Sequence, residues 1–154
     1  MFRGLTAINI DAKGRLAIPS RYRDLVKNEA DRIVVLTIDT EERCLLMYPY
    51  PHWEHIERKL EDLPSYHPLS RRIQRLLIGH ATEVELDRTG RVLIPSVLRE
   101  YAGLGPTVML VGQGKKFEIW GESQWNMARE EWLGEKVNGE DKGDLPPELK
   151  LLSL

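Results

Sequence analysis

The sequence predicts an α+β fold: two copies of one small unit, related by a pseudo-two-fold, sharing a mixed sheet or small β-barrel with helices packed outside. Three observations carry that expectation. First, a stretch recurs. Asp11-Ala-Lys13-Gly14-Arg15-Leu-Ala-Ile18-Pro19-Ser20-Arg21-Tyr22-Arg23 returns seventy-six positions later as Asp87-Arg88-Thr89-Gly90-Arg91-Val-Leu-Ile94-Pro95-Ser96-Val97-Leu98-Arg99. The Asp, the Gly-Arg pair, the Ile-Pro-Ser run and the last Arg are identical, and apolar positions match between them. Second, short runs at strand period give way to helical spacing in the same order around each copy. Third, a unit of about 65 residues has little core of its own, so two in one chain close a shared core by pairing strands.

The elements follow in order. Leu5 to Ile10 extends, with Ile8 and Ile10 on one face. Asp11 to Gly14 is a turn, because an Asp carboxylate bonds nearby backbone N–H groups and glycine accepts positive φ. Leu16 and Ile18 alternate inward on a second strand. Pro19 suits the start of a helix over Ser20 to Lys27. Ile33 to Ile38 is a β-branched strand, Asp39 to Arg43 a polar turn, and Leu45 to Tyr48 the return, stopped by Pro49 and Pro51. Trp53, Ile56, Leu60 and Leu63 recur at helical spacing. After a Pro-punctuated break a second helix covers Leu69 to Ile78, ended by Gly79, with Arg71, Arg72 and Arg75 as a solvated basic face.

The second copy repeats this. Thr82 to Leu86 is a strand, Asp87 to Gly90 the turn, and Val92 and Ile94 match Leu16 and Ile18. Thr107 to Val111 and Phe117 to Trp120 form a hairpin around Gly112 to Lys116, and Trp125, Ala128 and Trp132 continue as a helix. Trp53, Trp125 and Trp132 are expected in core or subunit contacts. The expected division is a first repeat over 1–80, a second over 81–133 and a loosely ordered acidic tail over 134–154.

The chain has 154 residues and a formal charge of −2, which excludes a generically basic nucleic-acid coat. The charge is uneven. Residues 1–27 carry Arg3, Lys13, Arg15, Arg21, Arg23 and Lys27 against Asp11 and Asp24, whereas 118–148 carry nine acids against Arg129, Lys136 and Lys142. A basic working edge and a solvating tail are expected. No apolar run of about 18 residues could span a bilayer, and no signal peptide opens the chain. Cys44 is the single cysteine. It cannot form an internal disulfide, which points to a reducing cytoplasm, and an inert thiol is expected.

These residues resemble the MraZ family, whose halves are relatives of the AbrB-type swapped-hairpin domain. The resemblance is carried by Met1-Phe-Arg-Gly4, the loops Asp11 to Arg23 and Asp87 to Arg99, and Tyr101-Ala-Gly-Leu104, and it spans roughly residues 1–133. It implies a sequence-specific bacterial transcriptional regulator, a repressor at the nucleoid. Its target would be the promoter of the division and cell-wall gene cluster, its own gene included. It also implies a ring-shaped homo-oligomer that engages short repeats in double-stranded promoter DNA. The family's Asp-x-x-x-Arg motif is its DNA contact, which carries over here to Asp11, Lys13, Gly14 and Arg15, and to Asp87, Arg88, Gly90 and Arg91.

The chemistry is consistent with that assignment. An Arg fork fits guanine O6 and N7, Lys13 is a point charge suited to phosphate, and Asp11 braces its turn or orients Arg15. Gly14 lets backbone pass close. In the second loop Thr89 replaces Lys13 and Arg88 supplies the charge, so the first loop weighs more. Each Arg could instead be a salt bridge bracing its turn, and Arg23 and Arg99 read best as braces between halves.

Two other classes were weighed. An enzyme would draw on His52, His55 and His67 as zinc ligands, but the spacing misses HExxH, and no Cys cluster, GxSxG or phosphate loop exists. No catalytic residue, cofactor, metal or small-molecule substrate is expected. An antitoxin-like or scaffold interaction module is the other alternative; the short acidic tail leaves little to wrap a toxin.

Overall fold

A computed structural model of the chain describes residues 1–135 and 145–153. Among the described residues, eight strands and six helices are ordered β1 (Phe2–Asn9), β2 (Arg15–Ala17), α1 (Ser20–Ala30), β3 (Ile33–Ile38), β4 (Leu45–Pro49), α2 (Tyr50–Glu61), α3 (Pro68–Leu77), β5 (Thr82–Glu85), β6 (Arg91–Leu93), α4 (Ser96–Ala102), β7 (Thr107–Gly114), β8 (Phe117–Gly121), α5 (Glu122–Gly134) and α6 (Pro147–Lys150).

Six strands form one sheet in the order β1-β7-β8-β4-β3-β5, and β2 pairs with β6 in a separate ribbon. Exchanging the copies maps β1 to β5, β3 to β7 and β4 to β8, which reverses the strand order onto itself. The pseudo-two-fold passes between β4 and β8, where Leu46 faces Glu118. It also passes through the ribbon, where Leu16 faces Val92. Each copy lends its first strand to the other: β1 pairs with β7 and β5 with β3. The halves are thus swapped as expected. Every pairing is antiparallel, and the sheet remains open instead of closing as a barrel.

The sheet buries both faces. On one, Leu36, Met47, Phe117 and Ile119 pack against α1, α4 and the inward residues Leu16, Ile18, Val92 and Ile94. On the other, Val35, Leu46 and Tyr48 meet Trp53 and Leu60 of α2. β1 begins at Phe2, earlier than expected, because Phe2 stacks among Tyr22 and Phe117. The hairpin turn is tighter than expected: β7 runs through Gly112, where a Cβ would meet the Arg3 backbone nitrogen at 2.5 Å. Helix α1 extends to Ala30 because Val26 and Ala30 continue the buried stripe of Tyr22. Pro49 ends β4 and caps α2, and Pro51 sits in that helix's first turn. Trp120, Trp125 and Trp132 form an edge-to-face trio, with Trp132 39% exposed. Of the expected acidic tail, 136–144 lie outside the described residues, and Pro147–Lys150 form one exposed helical turn.

The ribbon is locked by reciprocal contacts. The Ile18 N–H donates to the Gly90 carbonyl and the Ile94 N–H to the Gly14 carbonyl, both at 2.9 Å. Arg23 Nε donates to its own strand at Ile18 O (2.7 Å) while its stem covers Gly90. Arg99 does the same with Ile94 O (3.0 Å) over Gly14. Both arginines brace one half on the other. A Cβ on Gly90 would lie 2.5 Å from Arg23 Cδ at a φ of +78°. Gly90→Ala is expected to cost about 1–3 kcal/mol from backbone strain and the displaced arginine. In urea titrations, Gly90→Ala combined with Arg23→Ala should cost less than the sum of the single changes; strict additivity would show that the contact is not felt.

Candidate nucleic-acid interface

Both duplicated stretches form the same turn. The Gly14 N–H donates to the Asp11 carbonyl and the Asp11 N–H to the Arg15 carbonyl, each at 3.0 Å. Asp11 Oδ1 accepts from the N–H groups of Lys13 (3.0 Å) and Arg15 (2.9 Å), and Oδ2 holds Arg15 Nε at 2.7 Å. In the second turn, Asp87 Oδ1 accepts from the Thr89 hydroxyl and from the Thr89 and Arg91 N–H groups, all at 2.9 Å. Its Oδ2 holds Arg91 Nε at 2.8 Å. A short carboxylate is what such a turn needs, since it reaches several successive N–H groups at once.

The ribbon decides where these side chains go. Leu16 and Val92 are fully buried, so by strand alternation Arg15, Ala17, Arg91 and Leu93 share the outward face. Arg15 pairs across from Leu93 and Ala17 across from Arg91. Arg91 Nη1 also approaches Asp11 Oδ2 at 3.8 Å, so the two turns meet in one charge cluster. The arginines are held as ion pairs, yet only through Nε in hydrogen bonds. Among the described residues, the Nη groups of Arg15 and Arg91 make no hydrogen bond, and their side chains are 30% and 34% exposed. Bracing therefore leaves the end of each fork presented.

β2 and β6 are antiparallel, so the turns leave the ribbon at opposite ends, roughly 10 Å apart at about 3.3 Å per residue. Lys13 lies exposed at one end and Arg88 at the other. Gly14 and Gly90 are both buried, and their missing side chains make room for Arg99 and Arg23, so the close approach expected at Gly14 is made by an arginine of the other half.

The other candidates fall elsewhere. His52 and His55 lie on α2, and His67 caps α3 through Nδ1, which accepts the Leu69 N–H at 3.1 Å. Arg71, Arg72 and Arg75 are exposed on α3. Among the described residues one group gathers three metal-type ligand atoms, those of Asp39, Cys44 and Glu118, with no histidine in it. Burial pushes the Cys44 thiol far up, aided by the Glu118 and Asp39 charges, so it stays protonated. Sequence reading passed over Glu118, which sits buried beside it and accepts from Trp120 Nε1 at 2.9 Å.

The N–H of Arg15 holds the Asp11 carboxyl below its ordinary range, and the N–H of Arg91 does the same more strongly for Asp87. A carboxyl depressed on folding gives stability that is present above its unfolded pKa and lost as pH falls through its folded one. Asp87→Asn should therefore melt below wild type near neutral pH. The gap should persist down to the ordinary Asp value of 3.8 and close only in stronger acid. A gap that began to close well above that value, or that stayed constant in much stronger acid, would contradict it.

Comparison with known proteins places the chain. A family model described as "MraZ protein, putative antitoxin-like" matches residues 1–76 and again 77–138. A protein of Coxiella burnetii named transcriptional regulator MraZ is 73% identical over 154 residues, covering 100% of both chains. Proteins of the same name from Legionella pneumophila and Halorhodospira halophila are 54% and 53% identical over the same full length. With a doubled turn, a swapped sheet and a family match on each half, this chain belongs to the MraZ family.

Proposed function

We propose that this chain is a sequence-specific DNA-binding transcriptional regulator whose reading head is the outward face of the β2–β6 ribbon. The observation that carries the proposal is the pair of guanidiniums there, Arg15 and Arg91, each oriented by its Asp through Nε and each with its Nη groups free of hydrogen bonds among the described residues, Arg91 Nη1 lying 3.8 Å from Asp11 Oδ2. Such forks match the O6 and N7 acceptors of guanine, and a two-stranded ribbon fits a major groove about 12 Å wide. Lys13 and Arg88, at the ribbon's ends, are placed for the flanking phosphates. Asp11 and Asp87 orient the arginines and do not touch DNA, since they would repel phosphate.

One subunit offers few phosphate contacts, in keeping with a formal charge of −2. Affinity then requires several heads on spaced repeats, where linkage multiplies binding by roughly 10²–10⁴. A ring-shaped homo-oligomer on promoter repeats meets that need. Resemblance to the family names the target as the division and cell-wall cluster with its own promoter, repressed in the cytoplasm at the nucleoid. The relatives' names describe regulators, which is not an enzyme class. The words "antitoxin-like" in the family description favour a second reading, an interaction module for a small protein partner; a stoichiometric partner co-purifying with the chain would support it.

On DNA from upstream of its own gene, Arg15→Ala should stay folded and assembled yet lose roughly 5–150-fold in affinity for each head engaged, the worth of one bidentate pair per head. Normal binding by that variant in a gel shift would reject the assignment. Lys13→Ala should instead weaken all sequences alike and flatten the dependence of log affinity on log salt by about one unit per site. A variant that kept the wild-type slope would remove Lys13 from the phosphate contacts.

A further inference from the structure

We propose that Leu93 is a specificity-determining residue that reads the C5-methyl group of a thymine next to the base met by Arg15. The inference rests on the DNA-binding reading above and adds a base contact to it.

A single exposed leucine needs no explanation on a soluble protein. The position of this one does. Leu93 is 51% exposed and sits directly opposite Arg15 in the ribbon register. Two residues before it on the same strand, and so on the same face, is Arg91. The outward face therefore carries four side chains: Arg15 and Arg91 on one diagonal, Ala17 and Leu93 on the other. Ala17 is the pseudo-two-fold counterpart of Leu93, so only one end of the face carries a bulky apolar group.

That side chain belongs to neither core. The ribbon buries its other face through Leu16 and Val92, and Leu93 is absent from the residues packed on either core. A duplex seated on both guanidiniums has Leu93 against its base edges. Those edges offer hydrogen-bond donors and acceptors, and the one bulky apolar group among them is the thymine methyl. Against polar edges, leucine strips water from them and returns nothing. Against a methyl, both groups leave water together. Two forks therefore select guanines, and the leucine beside Arg15 selects thymine. Because Ala17 ends at its Cβ and reaches less far than Leu93, the preference is stronger at the Leu93 end, and a site read in the opposite orientation has it weakened.

The test uses wild type and Leu93→Ala on two versions of the upstream DNA, one natural and one with every thymine replaced by deoxyuridine, which deletes only the methyl groups. Wild type should bind the uridine duplex about 3–10-fold more weakly, what burying one or two methyl-sized groups is worth. Leu93→Ala should bind the natural duplex more weakly by a similar factor and bind both versions alike, with an unchanged melting temperature. Wild type binding both duplexes equally, or Leu93→Ala still distinguishing them, would overturn the proposal while leaving the DNA-binding reading intact. Wild type shifting neither duplex would sink that reading first, and this one with it.

Discussion

The arrangement depends on a reciprocal exchange at the ribbon. The Ile18 N–H reaches the Gly90 carbonyl, and the Ile94 N–H reaches the Gly14 carbonyl. Each repeat completes the other's turn, and each arginine of the following helix lies across the opposite glycine. From this come the shared core, the lending of β1 and β5 to the other half, and the fixed spacing of two identical turns. Neither turn has a complete set of partners inside its own repeat. Duplication in one chain supplies both halves at once, without the concentration dependence of a dimer.

The same economy governs the charges. An arginine free to swing would lose much rotamer entropy on binding. Here the Asp ties down Nε and the turn ties down the Asp, so the fork is set in advance while its Nη groups remain available. Such an aspartate also subtracts charge. The outward face of the ribbon therefore carries a small positive excess. Under the proposed function, such a face would discriminate between sequences more than it holds DNA, and linkage of several faces would supply the affinity.

Much of this was legible in the residues, because local chemistry fixes it. The Asp-to-Gly turns, the β-branched strand Ile33–Ile38 and the helix starts after Pro19 and Pro95 depend on neighbours within a few positions. What was not legible is set by distant partners. Gly14 and Gly90 read as openings for close approach, and they are, but the approaching groups are Arg99 and Arg23 rather than a ligand. Gly112 reads as a turn residue, whereas the Arg3 backbone crossing beside it is what excludes a side chain. Phe2 lies before the expected strand start at Leu5, and its aromatic partners lie 20 and 115 residues away. The outward position of Leu93 follows from alternation, but its place opposite Arg15 needs the register between two strands seventy-six residues apart.

The most direct measurement is the structure of the assembled protein on its own upstream duplex. It should show the ribbon in a major groove, with Arg15 and Arg91 on guanine edges and each still paired to its Asp. A duplex lying instead along the basic groove of His52, His55, Lys59, Lys115 and Lys116, with the ribbon covered by a neighbouring subunit, would contradict the account.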